Sequence, residues 1–206
     1  MTCLLTLSIL PLAATAESVP DDPVILVLGD SLSASYGLDR ADAWVALLEA
    51  RLRERGLAHR VVNASISGET TAGGVTRLGA LLEQHDPTIL LIELGANDGL
   101  RGFGFEVIRD NLTEMIRRGR EAGSRVVIAG VRLPPNYGAV YTDGFQAVFR
   151  EVAESQSVPL IPDLLAGVAE DRSLMQADGL HPTAAAQPII LATVWTILEP
   201  LLLKAE

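Results

Sequence analysis

Ser31 follows the apolar run Val24-Ile-Leu-Val-Leu28 and sits in the small-residue turn Gly29-Asp30-Ser31-Leu32-Ser33. A serine hydroxyl becomes a nucleophile only when a base takes its proton in the transition state. The chain has 3 histidines, His59, His85 and His181. His59 and His85 stand beside Arg60 and Asp86, where we expect solvated rings at the polar ends of helices. His181 is different: Asp178 precedes it by three residues, with Gly179 between. A tight turn there could aim the carboxylate at Nδ1 and leave Nε2 free for a serine. The same Asp-x-x-His-Pro spacing equally suits a helix start with a capping aspartate. In either case Pro182 restricts His181 to an extended conformation and is expected to open the next helix.

Acyl transfer also needs hydrogen-bond donors waiting where negative charge develops. Ser31 N–H, Gly68 N–H and the Asn97 side-chain amide are candidates. Gly68 lacks a side chain, so its N–H can approach a substrate closely. Both residues also have ordinary readings, Gly68 as a turn glycine and Asn97 as the centre of an Asx-turn.

These residues need a frame. Short apolar, β-branched runs recur at 24–28, 60–62, 88–94, 125–131 and 158–161, and each reads as a buried strand. Helical faces lie between them: Trp44, Leu47, Leu48 and Leu52; Ile108, Leu112, Met115 and Ile116; Tyr141, Phe145, Val148, Phe149 and Val152. Strands alternating with helices imply right-handed crossovers and a parallel sheet covered on both faces, an α/β protein. Ligands of open parallel sheets bind beyond the carboxyl ends of the strands. Ser31, Gly68 and Asn97 each stand on a loop that follows a strand, as do Pro134 and Tyr137, while Asp178 and His181 lie between the fifth strand and the last helix.

The chain of 206 residues is 49% hydrophobic and 20% charged, which excludes a disordered tail or a fibrous repeat. Lys+Arg is 16 against Asp+Glu 26, a formal net charge of -10. A surface that acidic repels phosphate backbones and anionic membranes, so we expect no nucleic-acid partner. Residues 1–16 form an apolar run ending in Ala14-Thr15-Ala16, the layout of a signal peptide with its cleavage site, although no Lys or Arg precedes the run. We therefore expect residues 1–16 to be a signal peptide, residues 17–206 a single domain, and the protein periplasmic or secreted. Cys3, the single cysteine, would be lost with the signal and lies too early to be a lipidation site. The segment from Ala184 to Leu203 is apolar nearly all round but carries Gln187, Pro188 and Glu199-Pro200. It is expected to be a buried C-terminal helix rather than a membrane anchor.

The turn at Ser31 lacks the second glycine of the G-x-S-x-G nucleophile elbow. There is no phosphate-binding glycine loop, no His-Glu-x-x-His and no cysteine pair, so neither a cofactor nor a metal is expected.

Five blocks in order resemble the SGNH (GDSL-type) hydrolase family: Gly29 to Ala34, Asn63 to Thr71, Gly95 to Gly102, Leu133 to Gly138 and Asp178 to Thr183. The match is to its secreted bacterial branch of acyl-CoA thioesterases, lysophospholipases and arylesterases. That resemblance implies a three-layer α/β/α, flavodoxin-like sandwich around a five-stranded parallel sheet. It also implies Ser31 as nucleophile, His181 as general base and acid, and Asp178 as its orienting carboxylate. The oxyanion hole would be Ser31 N–H, Gly68 N–H and Asn97. Candidate substrate contacts are Asp30, Leu100, Phe103, Phe105, Pro134 and Tyr137. The chain departs from the family pattern at Gly102-Phe-Gly-Phe-Glu106 and at Ser35-Tyr36-Gly37.

The expected activity is hydrolysis of small acyl esters and thioesters, including aryl esters, acyl-CoA and lysophospholipids, through an acyl-serine. Two alternatives are a carbohydrate O-deacetylase on the same scaffold and a non-catalytic periplasmic binding module. Leu100, Phe103, Phe105 and Val140 suit an acyl chain better than a sugar.

Overall fold

The computed structural model describes residues 22–203. The signal peptide expected over residues 1–16 lies outside the described residues. Five strands form one parallel sheet: β1 (Val24–Gly29), β2 (Arg60–Asn63), β3 (Ile89–Glu93), β4 (Arg125–Ala129) and β5 (Leu160–Ile161). Their order across the sheet is β2-β1-β3-β4-β5. All residues of β1 and β3 are buried, as continuous apolar runs in a doubly covered sheet should be.

The helices are α1 (Trp44–Glu54), α2 (Thr71–His85), α3 (Ala96–Leu100), α4 (Phe105–Glu121), α5 (Ala139–Gln156) and α6 (Gln187–Leu202). Helices α2, α4 and α5 pack in a row, and α1 packs with α6. The result is the expected three-layer sandwich. The three predicted helical faces are buried through Trp44, Leu48 and Leu52, through Ile108 to Ile116, and through Phe145 to Val152. Leu47 and Tyr141 are only partly buried against the core.

The helical span Ala184–Leu202, which contains α6, is long and apolar enough to cross a membrane, yet Ile190, Leu191, Val194, Trp195, Leu198 and Leu202 are buried in the core. Arg51 and Arg55 of α1 lie over the Trp195 ring at 5.5 and 5.8 Å. Two expectations need correction here. Pro182 does not open the last helix: it pairs with Met175 in an isolated antiparallel bridge. Pro188 occupies the first turn of α6 instead. His59 is not solvated either, because both ring nitrogens are buried without a partner. Burial, with help from the Arg125 charge, lowers its pKa.

β5 is shorter than the run Val158–Ile161 suggested. Pro159 and Pro162 flank it, and neither has an N–H to donate to a ladder.

Candidate active site

The order β2-β1-β3-β4-β5 puts the topological switch between β1 and β3, where crossovers leave in opposite directions and open a crevice. Ser31 follows β1 and Asn97 follows β3, so the two stand beside each other at this crevice. Asp30 begins a single helical turn: Ala34 N–H donates to its carbonyl at 2.9 Å, and its Oδ1 accepts from Leu32 N–H at 3.0 Å. That cap leaves Ser31 at the first position of the turn, and its N–H has no partner among the described residues.

His181 Nε2 lies 2.9 Å from Ser31 Oγ, across 150 positions of sequence. Its Nδ1 lies 2.6 Å from Asp178 Oδ2. Asp178 Oδ1 meanwhile accepts from Leu180 N–H at 2.9 Å and His181 N–H at 3.0 Å. Gly179, at φ +68°, allows the chain to close so tightly. The two readings of Asp178 therefore coexist: one oxygen caps the turn and the other faces the imidazole. Burial pushes this carboxyl up, but the hydrogen bonds from the His181 ring and the two backbone N–H groups outweigh it and lower its pKa to about 2. With Asp178 ionised, Nδ1 carries the ring proton and Nε2 accepts from Ser31.

Asn97 is placed from two sides. Its Nδ2 donates to Asp30 Oδ2 at 3.0 Å. The next residue, Asp98, is fully buried and accepts from Thr71 N–H at 2.9 Å and from Thr71 Oγ1, tying α3 to the start of α2. Gly68 sits at φ +80° in the turn Ile66–Glu69. Ile66 N–H donates to Gly29 O at 3.0 Å and Arg101 donates to Gly68 O at 3.0 Å, so this turn is held to the other two loops. Gly68 does not line the cavity described next.

Two acids lie under the nucleophile turn, and no signal-bearing motif marked either as structural. Asp30 is fully buried next to Ser31. Glu93, also buried, accepts from Asp30 N–H at 3.2 Å and Ser33 Oγ at 2.7 Å through Oε2. Burial raises the Asp30 pKa to about 6 against the lowering bonds from Leu32 and Asn97. Burial and then the Asp30 charge raise Glu93 well above the usual carboxylate range. The clue to Glu93 was one acid at the end of an otherwise apolar strand.

A cavity of ≈ 570 Å³ opens beside Ser31, Asn97 and His181. Leu32, Leu100, Val131, Leu133, Pro134, Leu165, Met175 and Leu180 make most of its wall, with Arg132, Thr142, Asp143, Gln146 and Glu170 as polar members beyond the site itself. Of the expected contacts, Leu100 and Pro134 line it, and Asp30 lies at its floor. Phe103, Phe105 and Tyr137 are not lining residues. Tyr137 donates to Leu100 O at 2.9 Å, and its ring stacks on Tyr141 at 6.0 Å. Phe105 packs against Tyr141 at 5.1 Å, and Tyr141 donates to Gly99 O at 2.9 Å, so these rings brace α3. Phe103 is exposed after α3, and Val140 is 91% exposed. Sequence reasoning missed Leu165 and Met175, which reach the site from loops without a recognisable motif. Among the described residues no acid, histidine or cysteine cluster could hold a metal.

A doubly covered parallel sheet whose carboxyl edge joins a serine, a histidine and an aspartate in one hydrogen-bonded row is the architecture of a serine acyl hydrolase. Residues 27–188 match the model of the GDSL-like Lipase/Acylhydrolase family. The chain belongs to that family. It is 49% identical over 178 residues to Esterase TesA of Pseudomonas aeruginosa, covering 86% of this chain and 89% of that one. The crystal structure of TesA superposes with a TM-score of 0.85, covering 86% of this chain and 99% of the other. The Arylesterase of Vibrio mimicus is 49% identical over 166 residues, 81% of this chain and 83% of that one. The Thioesterase 1/protease 1/lysophospholipase L1 of Escherichia coli K12 is 41% identical over 177 residues, 86% and 84% of the two chains. The protein is an SGNH hydrolase, a carboxylic ester hydrolase by class. The deacetylase and binding-module alternatives are not favoured.

Proposed function

We propose that this protein hydrolyses acyl esters and thioesters through a covalent acyl-Ser31 intermediate. The observation that carries the reading is the row Ser31–His181–Asp178, with contacts of 2.9 and 2.6 Å. Ser31 Oγ attacks the acyl carbonyl while His181 Nε2 takes its proton. Asp178, ionised down to about pH 2, offsets the charge on the imidazolium. The oxyanion is received by Ser31 N–H, the Asn97 amide and Gly68 N–H, donors set before the reaction begins. His181 then returns the proton to the departing alcohol or thiol. Water then gives a proton to His181 and bonds the acyl carbon; the bond from that carbon to Ser31 Oγ breaks, His181 returns the proton to Oγ, and the acid leaves.

The apolar wall of the ≈ 570 Å³ cavity suits a fatty acyl or aryl group. Esters, aryl esters and acyl-CoA are the substrates this supports, in keeping with the names of the relatives. The apolar run at residues 1–16 supports export from the cytoplasm, and a mature chain beginning at Glu17 would be the product.

The test is Ser31→Ala assayed on p-nitrophenyl esters and with a fluorophosphonate probe. Turnover should vanish and labelling with it. A variant that still hydrolyses the esters would refute the reading.

A further inference from the structure

Tyr36 is 49% exposed, yet its ring lies against the His181 imidazole with 4.2 Å between centroids and 32° between planes. The row Ser31–His181–Asp178 uses both ring nitrogens and leaves the flat faces of the imidazole unassigned. Tyr36 covers one of them. Its segment has an uncommon shape: Ser35 has φ +64°, a region few non-glycine residues enter.

Gln176 ties that segment down. Its Nε2 donates to Tyr36 O at 3.0 Å and to Pro182 O at 3.0 Å. Its backbone N–H donates to His181 O at 2.7 Å. One glutamine therefore clamps the segment after the nucleophile onto the segment that carries the base, across 140 positions. The fit is close at Gly37, where a Cβ would stand 2.5 Å from Gln176 Oε1.

We propose that Tyr36, seated by Gln176, is a positioning residue for His181: its ring face holds the imidazole toward Ser31 and favours the imidazolium formed there. This rests on the acyl-serine reading above. The charge on His181 appears only when Ser31 surrenders its proton, and an aromatic face within about 6 Å attracts a cation. An attraction present in the transition state and weak in the ground state raises kcat and leaves KM alone.

The experiment compares Tyr36→Phe, Tyr36→Leu, Tyr36→Ala and Gln176→Glu with Ser31→Ala on p-nitrophenyl acetate, alongside thermal melts. Tyr36→Phe should keep kcat to within about twofold, because the phenyl face remains. Tyr36→Leu and Tyr36→Ala should lose roughly 3- to 30-fold in kcat with KM unchanged. Their melting temperatures should not move, since the ring is half in solvent. Gln176→Glu puts oxygen where two carbonyls need donors and should show the same kcat loss; if it melts early, the Tyr36 series alone decides. A wild-type kcat in Tyr36→Ala, a loss confined to KM, or leucine performing as well as phenylalanine would each overturn the proposal. Turnover by Ser31→Ala would overturn the acyl-serine reading and this inference with it. An inactive Ser31→Ala beside a fully active Tyr36→Ala would overturn this inference alone.

Discussion

Asp30 Oδ2 accepts a hydrogen bond from Asn97 Nδ2 at 3.0 Å, joining the turn after β1 to the first turn of α3. Both Asp30 oxygens accept, Oδ1 from Leu32 N–H and Oδ2 from Asn97, so the amide presents NH2 rather than oxygen. One amide hydrogen is used by Asp30 and the other is left for an oxyanion. In Asp30→Asn the incoming oxygen stays with Leu32 N–H, and two NH2 groups then face each other. Asn97 should flip or swing away. We expect kcat to fall by ~10²–10³, the cost of one lost oxyanion donor, with KM little changed. Steady-state kinetics on one aryl ester checks this.

Glu93 is a buried acid whose pKa is raised by burial and by Asp30. A raised carboxyl binds a proton more tightly in the folded state than in the unfolded one. The stability it contributes is present below the ordinary value of 4.5 and is lost as pH rises through the raised value. Glu93→Gln keeps an acceptor for Asp30 N–H and Ser33 Oγ but cannot ionise. Urea midpoints followed upward from pH 4.5 should decline in the wild type and stay flatter in this variant. Glu93→Leu strands two buried donors and should cost about 2–5 kcal/mol. A Leu variant as stable as the parent would contradict the network.

Asp178 has the opposite sign. Its pKa is lowered to about 2, so its contribution is present above the ordinary 3.8 and lost as pH falls through 2. In Asp178→Asn the amide oxygen remains with the N–H groups of Leu180 and His181, which turns NH2 toward Nδ1. The ring proton must then move to Nε2, where it blocks acceptance from Ser31. A drop of roughly 10³–10⁴ in kcat is expected, without loss of fold. Circular dichroism and kinetics on the same sample separate the two effects.

Gly95 precedes α3 at φ +123°, and a Cβ there would stand 2.9 Å from Phe149 Cζ. Gly95→Ala combines backbone strain with a ring that must move, and it should cost about 1–3 kcal/mol. Because Asn97 lies two residues on, kcat should fall in the same variant. Unchanged kcat with lowered stability would separate the strain from the site.

Much of the fold could be read directly. The apolar runs at 24–28 and 88–94 became β1 and β3 because a doubly covered strand must be apolar on both sides. Strand ends were less legible: Pro159 and Pro162 trimmed β5 because neither can donate to a ladder, a limit that hydrophobicity does not record. His59 misled for the opposite reason. Its polar neighbours suggested solvent, but burial at a β-strand entrance depends on what packs across it. Phe105 and Tyr137 were legible as apolar loop residues but not as a brace for α3, since composition does not say which side of a loop faces a cavity.

The order of residue types along the chain determined the chemistry available here: a serine after the first strand, an asparagine after the third, and an aspartate three residues before a late histidine. It also determined the layered fold, because hydrophobic periodicity is local and strong. Tertiary structure alone decided which of those residues meet. Sheet order placed Ser31 beside Asn97, the Gln176 bonds tied the final loop to the segment after Ser31, and burial raised the pKa values of Glu93 and Asp30. Such contacts join positions 60 to 150 residues apart, and their strength comes from exclusion of water, which no linear stretch of sequence records.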